Sequence, residues 1–142
     1  MGRYLVSFCN ANEIRLAVVT RAGIERDLKI ADSAIPAGAG VTGIAAFGGR
    51  IYLALQNSSA ILVLDRDFNL VNIRMVPELF DLHGIAADGE RVIFVSTGTN
   101  QVCALPLDLR GNLEVIWRGD VLNNTLHANC VQIAGGATFL SM

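Results

Sequence analysis

Two histidines, His83 and His127, are the only imidazoles in the 142-residue chain. Imidazole changes charge near neutral pH, so it suits metal ligation or proton transfer. Both sit in similar surroundings, Leu82-His83-Gly84-Ile85 and Leu126-His127-Ala128-Asn129. Together with Thr42 and Asn129 they form the candidate ligand-binding set. The competing reading is that each histidine hydrogen-bonds backbone between neighbouring structural units, because buried polar groups ordinarily have such partners. Acid–base catalysis needs a second titrating group within reach. The residues name no catalytic set, no metal ligands and no cofactor.

Other reactive types point to structure. Cys9, Cys103 and Cys130 are odd in number and contain no C-x-x-C pair, which argues against a disulfide framework or a zinc site. They are expected to be reduced, buried thiols. Asp65-Arg66-Asp67 reads as a solvated hairpin turn rather than a cation loop. Gly38-Ala39-Gly40 and Gly135-Gly136 lack the Gly-Lys-Ser/Thr ending of a phosphate loop. Ser96-Thr97-Gly98-Thr99 reads as a hairpin turn, since no Gly-x-Ser-x-Gly elbow is present. Trp117 is expected in packing between units. Leu79 and Phe80 are expected exposed in a connector, as a contact surface.

The elements that must position these residues come from an internal repeat. Gly43-Ile44-Ala45-Ala46-Phe47-Gly48-Gly49-Arg50 matches Gly84-Ile85-Ala86-Ala87-Asp88-Gly89-Glu90-Arg91 at six of eight positions, 41 residues apart. The match continues without a gap through Ile51–Leu64 and Val92–Leu105, apolar run on apolar run and turn on turn. Partial copies flank the pair. Gly2–Ser7 repeats Gly49–Ala54, and Asn129–Gly136 repeats the opening strand and its glycine turn. Short apolar runs separated by Gly, Asn, Asp and Ser predict hairpins. The second unit predicts strands at Thr42–Phe47, Arg50–Gln56, Ala60–Asp65 and Asn69–Met75. The third predicts them at His83–Asp88, Arg91–Thr97, Gln101–Leu107 and Asn112–Arg118.

Four antiparallel strands in a unit of about 40 residues are the signature of a β-propeller blade. The chain therefore reads as an all-β propeller segment of about three four-stranded blades. Residues 1–31 and 128–142 form partial blades, and residues 42–75 and 83–118 form whole ones. Propellers close with about 4–8 blades, so the expectation is an incomplete ring. Either further blades or self-association of two copies would close it. In a blade the first strand lies nearest the central channel, which places Thr42, His83, His127 and Asn129 around the channel mouth.

Composition narrows the function class. Hydrophobic residues make up 52% and charged residues 17%, which favours a packed core over disorder. A net charge of −2 without a basic stripe argues against nucleic acid as partner. Apolar stretches such as Ile51–Leu55 fall far short of the roughly 20 residues of a membrane span. The first apolar run is interrupted by Asn10, Asn12, Glu13 and Arg15, unlike a signal peptide. The sequons at Asn57 and Asn123 then read as turns, and the expected location is cytoplasmic.

At Leu82-His83-Gly84-Ile85-Ala86-Ala87-Asp88-Gly89 the chain resembles a blade of the NHL, SMP-30 and virginiamycin-B-lyase type of propeller. Leu126-His127-Ala128-Asn129 resembles a related blade opening. No Gly-His…Trp-Asp pair is present, which separates it from the WD40 pattern. An acidic metal ligand of the SMP-30 type has no counterpart here. The resemblance implies a propeller; the repeat without a catalytic set and the two histidines at blade starts leave two functions open. One is a non-catalytic module recognising a small molecule, glycan or protein at the channel mouth or blade face. The other is a fragment of a lyase or hydrolase using histidine near the channel.

Overall fold

The computed structural model describes residues 2–35, 40–120 and 128–141. Among the described residues, thirteen strands form four antiparallel sheets that follow one another in chain order. The first sheet contains β1 (Tyr4–Ser7), β2 (Ile14–Thr20) and β3 (Gly23–Ile30). The second contains β4 (Val41–Phe47), β5 (Arg50–Leu55), β6 (Ala60–Leu64) and β7 (Leu70–Met75). The third contains β8 (Leu82–Ala87), β9 (Arg91–Ser96), β10 (Gln101–Pro106) and β11 (Glu114–Arg118). The fourth contains β12 (Cys130–Ala134) and β13 (Ala137–Ser141). Each sheet is a meander in which strands consecutive in sequence pair.

The middle strands of the second and third sheets are nearly unbroken apolar runs because both faces of those sheets are covered. Successive side chains of a strand point to opposite faces. Along β5, Leu53 and Leu55 pack with Ile14 and Leu16 of the first sheet, while Tyr52 and Ala54 pack with Val92 and Phe94 of the third. Along β9, Val92 and Phe94 face back to the second sheet, and Ile93 and Val95 face forward to Val131 of the fourth. Three apolar layers thus alternate with the four sheets.

The sheets fan out from their first strands. β4 packs on β8 and β8 packs on β12. Equivalent glycines make this approach possible. A Cβ on Gly84 would lie 2.7 Å from Cys130 Cα and from Val131 N. One on Gly43 would strike the carbonyl oxygen of His83. The Gly48-Gly49 turn has φ of 57° and 75°, the left-handed pair required by a two-residue type I′ hairpin. Among the described residues the stack of sheets is an open arc and does not close into a ring.

Two sequence expectations change. Only Cys103 is buried, whereas Cys9, in the turn between β1 and β2, and Cys130, at the start of β12 in the last sheet, are exposed. Leu79 is buried in the layer between the second and third sheets, leaving Phe80 as the exposed half of that pair at 57%. Leu79 turns inward because its N–H donates to the Val76 carbonyl at 2.9 Å, folding the connector over the core. Trp117, on outer strand β11, is 37% exposed.

Candidate ligand site at the inner-strand mouth

Inner strands β4 and β8 each carry an irregularity at the same point. In β4, Val41 pairs with Leu55 and Gly43 with Ala54, so Thr42 has no cross-strand partner. In β8, Leu82 pairs with Ser96 and Ile85 with Phe94, so His83 and Gly84 together oppose Val95. Such bulges re-aim side chains and concentrate beside functional sites. Thr42 and His83 are therefore structural counterparts, but they are used differently.

Thr42 closes the joint between sheets. Its hydroxyl lies 2.6 Å from the Leu82 carbonyl and 3.3 Å from the Ala54 carbonyl, and its single proton favours the shorter bond to the third sheet. The backbone contact between units expected of the histidines is made here by a threonine. Thr97 repeats the device one interface on, donating to the Ala128 carbonyl at 2.6 Å.

His83 meets side chains. Its Nε2 is 3.2 Å from Asp81 Oδ1. Gln56 Nε2 donates to that same oxygen at 2.6 Å and lies 3.5 Å from His83 Nε2. Two donors on one carboxylate oxygen place the imidazole proton on Nε2. The Gln56–His83 approach is then two donors converging on Asp81 Oδ1. The His83 and Asp81 side chains are 27% and 35% exposed, so the cluster is shielded yet reachable from solvent.

Three elements build this cluster. Gln56 follows the end of β5 and its backbone N–H donates to the Gly40 carbonyl at 2.9 Å. Asp81 precedes β8 with φ of 57°, a left-handed conformation that aspartate tolerates better than most residues. Its carbonyl accepts from the Thr97 N–H at 3.0 Å, the counterpart of the Gln56–Gly40 bond. The bulge presents His83 two residues further on.

Asn129 is exposed, and its backbone is engaged between strands: the N–H donates to Ser141 at 3.0 Å and the carbonyl accepts from Gly84 N–H at 2.9 Å. His127 lies outside the described residues. Thr42 and His83 lie on neighbouring inner strands. Asp81 and Gln56 were not singled out by the sequence. The signal was there in the repeat, where Gly40, Thr42 and Gln56 stand against Asp81, His83 and Thr97. Among the described residues, no three His, Cys, Asp or Glu side chains gather closely enough to hold a metal ion.

Comparison with solved structures matches this arrangement to a known fold. Virginiamycin B lyase from Staphylococcus aureus superposes with a TM-score of 0.73 at 15% identity, covering 94% of this chain and 43% of the lyase. Glutaminyl cyclase from Myxococcus xanthus gives 0.65 at 10% identity, covering 99% of this chain and 68% of the cyclase. The nidogen/laminin complex gives 0.60 at 14% identity, covering 85% of this chain and 50% of its counterpart. The chain is a run of β-propeller blades. It spans less than half the length of the lyase it resembles. No protein-family model and no curated protein sequence matches it.

Proposed function

We propose that this chain is a propeller binding module whose ligand is held where the inner strands begin, with His83 as the central contact. The observation that carries the reading is the convergence of Gln56, Asp81 and His83 from two blades onto one partly exposed spot. Shared hydrogen bonds fix the imidazole orientation, and among the described residues no hydrogen bond engages Nδ1, which is available to a ligand. Thr42 and Asn129 are rim residues of the neighbouring blades, and His127 belongs to the same candidate set. A small molecule, a glycan or an exposed protein loop fits a polar rim of this kind.

The chain contains only two histidines, so histidine-selective isotope labelling resolves the site directly. Small polar molecules and glycans are titrated into labelled protein. Binders are expected to move the His83 imidazole signals, and His83→Ala is expected to abolish their binding with the fold intact. Binders that leave His83 unmoved and retain full affinity for His83→Ala would sink the reading.

A second reading is an enzyme segment. It is favoured by the Asp81 carboxylate 3.2 Å from His83 Nε2, which orients the ring and leaves Nδ1 as a general base. A catalytically inactive variant of the similar lyase has been crystallised with quinupristin, so quinupristin is the first substrate to try. Chromatographic appearance of a product with the wild-type chain, and none with His83→Ala, would favour this reading over binding alone.

A further inference from the structure

The repeat places an arginine at one point in three successive sheets. Arg3 stands immediately before β1, Arg50 opens β5 and Arg91 opens β9. In two of the three an outer-strand glutamate neutralises it. Arg3 Nε donates to Glu25 of β3 at 2.9 Å. Arg91 Nη1 donates to Glu114 of β11 at 3.1 Å, and its Nη2 donates to Asp88 at 3.0 Å. Arg50 has neither partner. Val63 and Ala104 are repeat equivalents, and they pair with Asn72 and Glu114, so an amide stands in the second sheet where the third has a carboxylate. Phe47 stands where the third sheet has Asp88, three residues before the arginine. Outer strand β7, Leu70–Met75, contains no acidic residue.

The unmatched charge faces a cavity between two blades. Arg50, Tyr52 and Ala54 alternate onto the face of β5 that meets the third sheet. At the Arg50 end the apolar layer gives way to a cavity of about 290 Å³, lined by Arg50, Val63 and Asn72 of one blade and Leu107, Asp108 and Arg110 of the next. Its walls are tied together. Asn72 Nδ2 donates to the Asp108 carbonyl at 2.8 Å, and the Tyr52 hydroxyl donates to the Leu107 carbonyl at 3.2 Å. Leu109, buried and held at φ of 60°, anchors the loop between Asp108 and Arg110. Asp108 is the one carboxylate in the lining, and its Oδ1 accepts from the Arg110 backbone N–H at 2.8 Å. Among the described residues neither Arg50 nor Arg110 forms an ion pair. Arg74, two residues after Asn72 and so on the same face of β7, adds positive charge and reaches the Gly111 carbonyl at 3.4 Å. Both Arg50 and Arg110 are exposed, so the cavity is open to a ligand from solvent.

We propose that this cavity binds a phosphate group, free or as the ester of a small molecule, between the guanidinium groups of Arg50 and Arg110. The planar guanidinium fork matches phosphate oxygens in bidentate fashion. The anion takes the part that Glu25 and Glu114 play in the neighbouring blades. β5 begins at Arg50 and ends beside Gln56, so the cavity lies a strand's length from the His83 cluster, and the inference does not rest on the ligand site proposed there.

The 142-residue chain is titrated at neutral pH with sodium phosphate, against sodium chloride of matched ionic strength. Arginine Nε–Hε and backbone amide signals are followed by NMR. Phosphate, and not chloride, is expected to give saturable shifts at Arg50, Asn72, Asp108 and Arg110. Arg50→Gln and Arg110→Gln should each weaken binding about tenfold or more, through loss of one charge-assisted pair. Arg3→Gln removes an arginine that already has its glutamate and should leave the affinity within about twofold of wild type. Asn72→Glu restores the carboxylate that the other blades carry and should abolish binding. Phenyl phosphate separates the two sources: tighter binding than phosphate assigns the site to an ester and weaker binding to the free anion, and either upholds the site. Shifts that chloride reproduces, shifts that never saturate, or full affinity in Arg50→Gln or Asn72→Glu would overturn the proposal.

Discussion

Replacing the inner-strand glycines with alanine tests the packing on which every other conclusion depends. In Gly84→Ala the new Cβ would sit 2.7 Å from Cys130 Cα and Val131 N, where ordinary contact begins at 3.4 Å. Both opposing atoms are backbone or backbone-bound, so no side-chain rotation relieves the clash. β12 must retreat by roughly 0.7 Å, which strains the Gly84 N–H bond to the Asn129 carbonyl. Overpacking of this kind costs about 1–3 kcal/mol. Loss of glycine freedom in the unfolded chain returns roughly 0.4–1 kcal/mol. The net loss for Gly84→Ala is then about 1–2 kcal/mol. Gly43→Ala should lose more. Its contact with His83 is closer, and β8 is held from behind by β12, whereas β12 has no inner strand behind it among the described residues and can yield. With a urea slope of about 1.5 kcal/mol/M, Gly84→Ala lowers the unfolding midpoint by about 1 M and Gly43→Ala by about 1.5–2 M. Circular dichroism or fluorescence during urea titration reads both midpoints. A Gly43→Ala midpoint within about 0.2 M of wild type would refute the close packing of the inner strands. A larger loss for Gly84→Ala than for Gly43→Ala would refute the argument that the middle of the arc is the stiffer joint.

Two further outcomes are expected. Thr42→Val keeps the shape and removes the donor to the Leu82 carbonyl, so it should destabilise by about 1–3 kcal/mol, with Thr42→Ser restoring most of the loss; a neutral Thr42→Val would remove this bond from the account of the interface. Burial pushes the Cys103 thiol from the ordinary 9.0 up to about 11, so alkylation at pH 8 should modify exposed Cys9 and Cys130 in native protein and reach Cys103 only in denaturant. The sign follows from the raised value: the folded state keeps the Cys103 proton after the unfolded state has released it, so its contribution to stability is complete below the unfolded thiol value and declines as pH rises toward about 11. Mass spectrometry counts the labels, and rapid native labelling of Cys103 would contradict its place in the core.

Much of the fold was legible in the chain. A hairpin is a local object: the turn residues, the strand length and the two-residue alternation lie within a few positions of one another, so Gly48-Gly49 and the runs around it point to β4 and β5 without any tertiary knowledge. The 41-residue repeat then carried the same answer to β8 and β9. The fate of individual side chains was less legible. Leu79 and Phe80 are adjacent and similar in polarity, yet one fills the layer between two sheets and the other faces solvent, because the connector folds over the core. Cys9 and Cys130 are exposed for a reason no composition rule contains, namely their position in the turn of the first sheet and at the start of the last.

The candidate site divides in the same way. The amino-acid order alone determined that His83 opens a blade, because it directly precedes the repeated Gly-Ile-Ala-Ala segment. Only the three-dimensional arrangement decided what His83 touches. Gln56 is 27 residues away in sequence and reaches the Asp81 carboxylate across the joint between two blades. Backbone pairing within a sheet is set by near neighbours along the chain. Contact between sheets depends on how closely two inner strands approach, and that distance is governed by missing side chains at Gly43 and Gly84, whose partners are named nowhere in the local sequence.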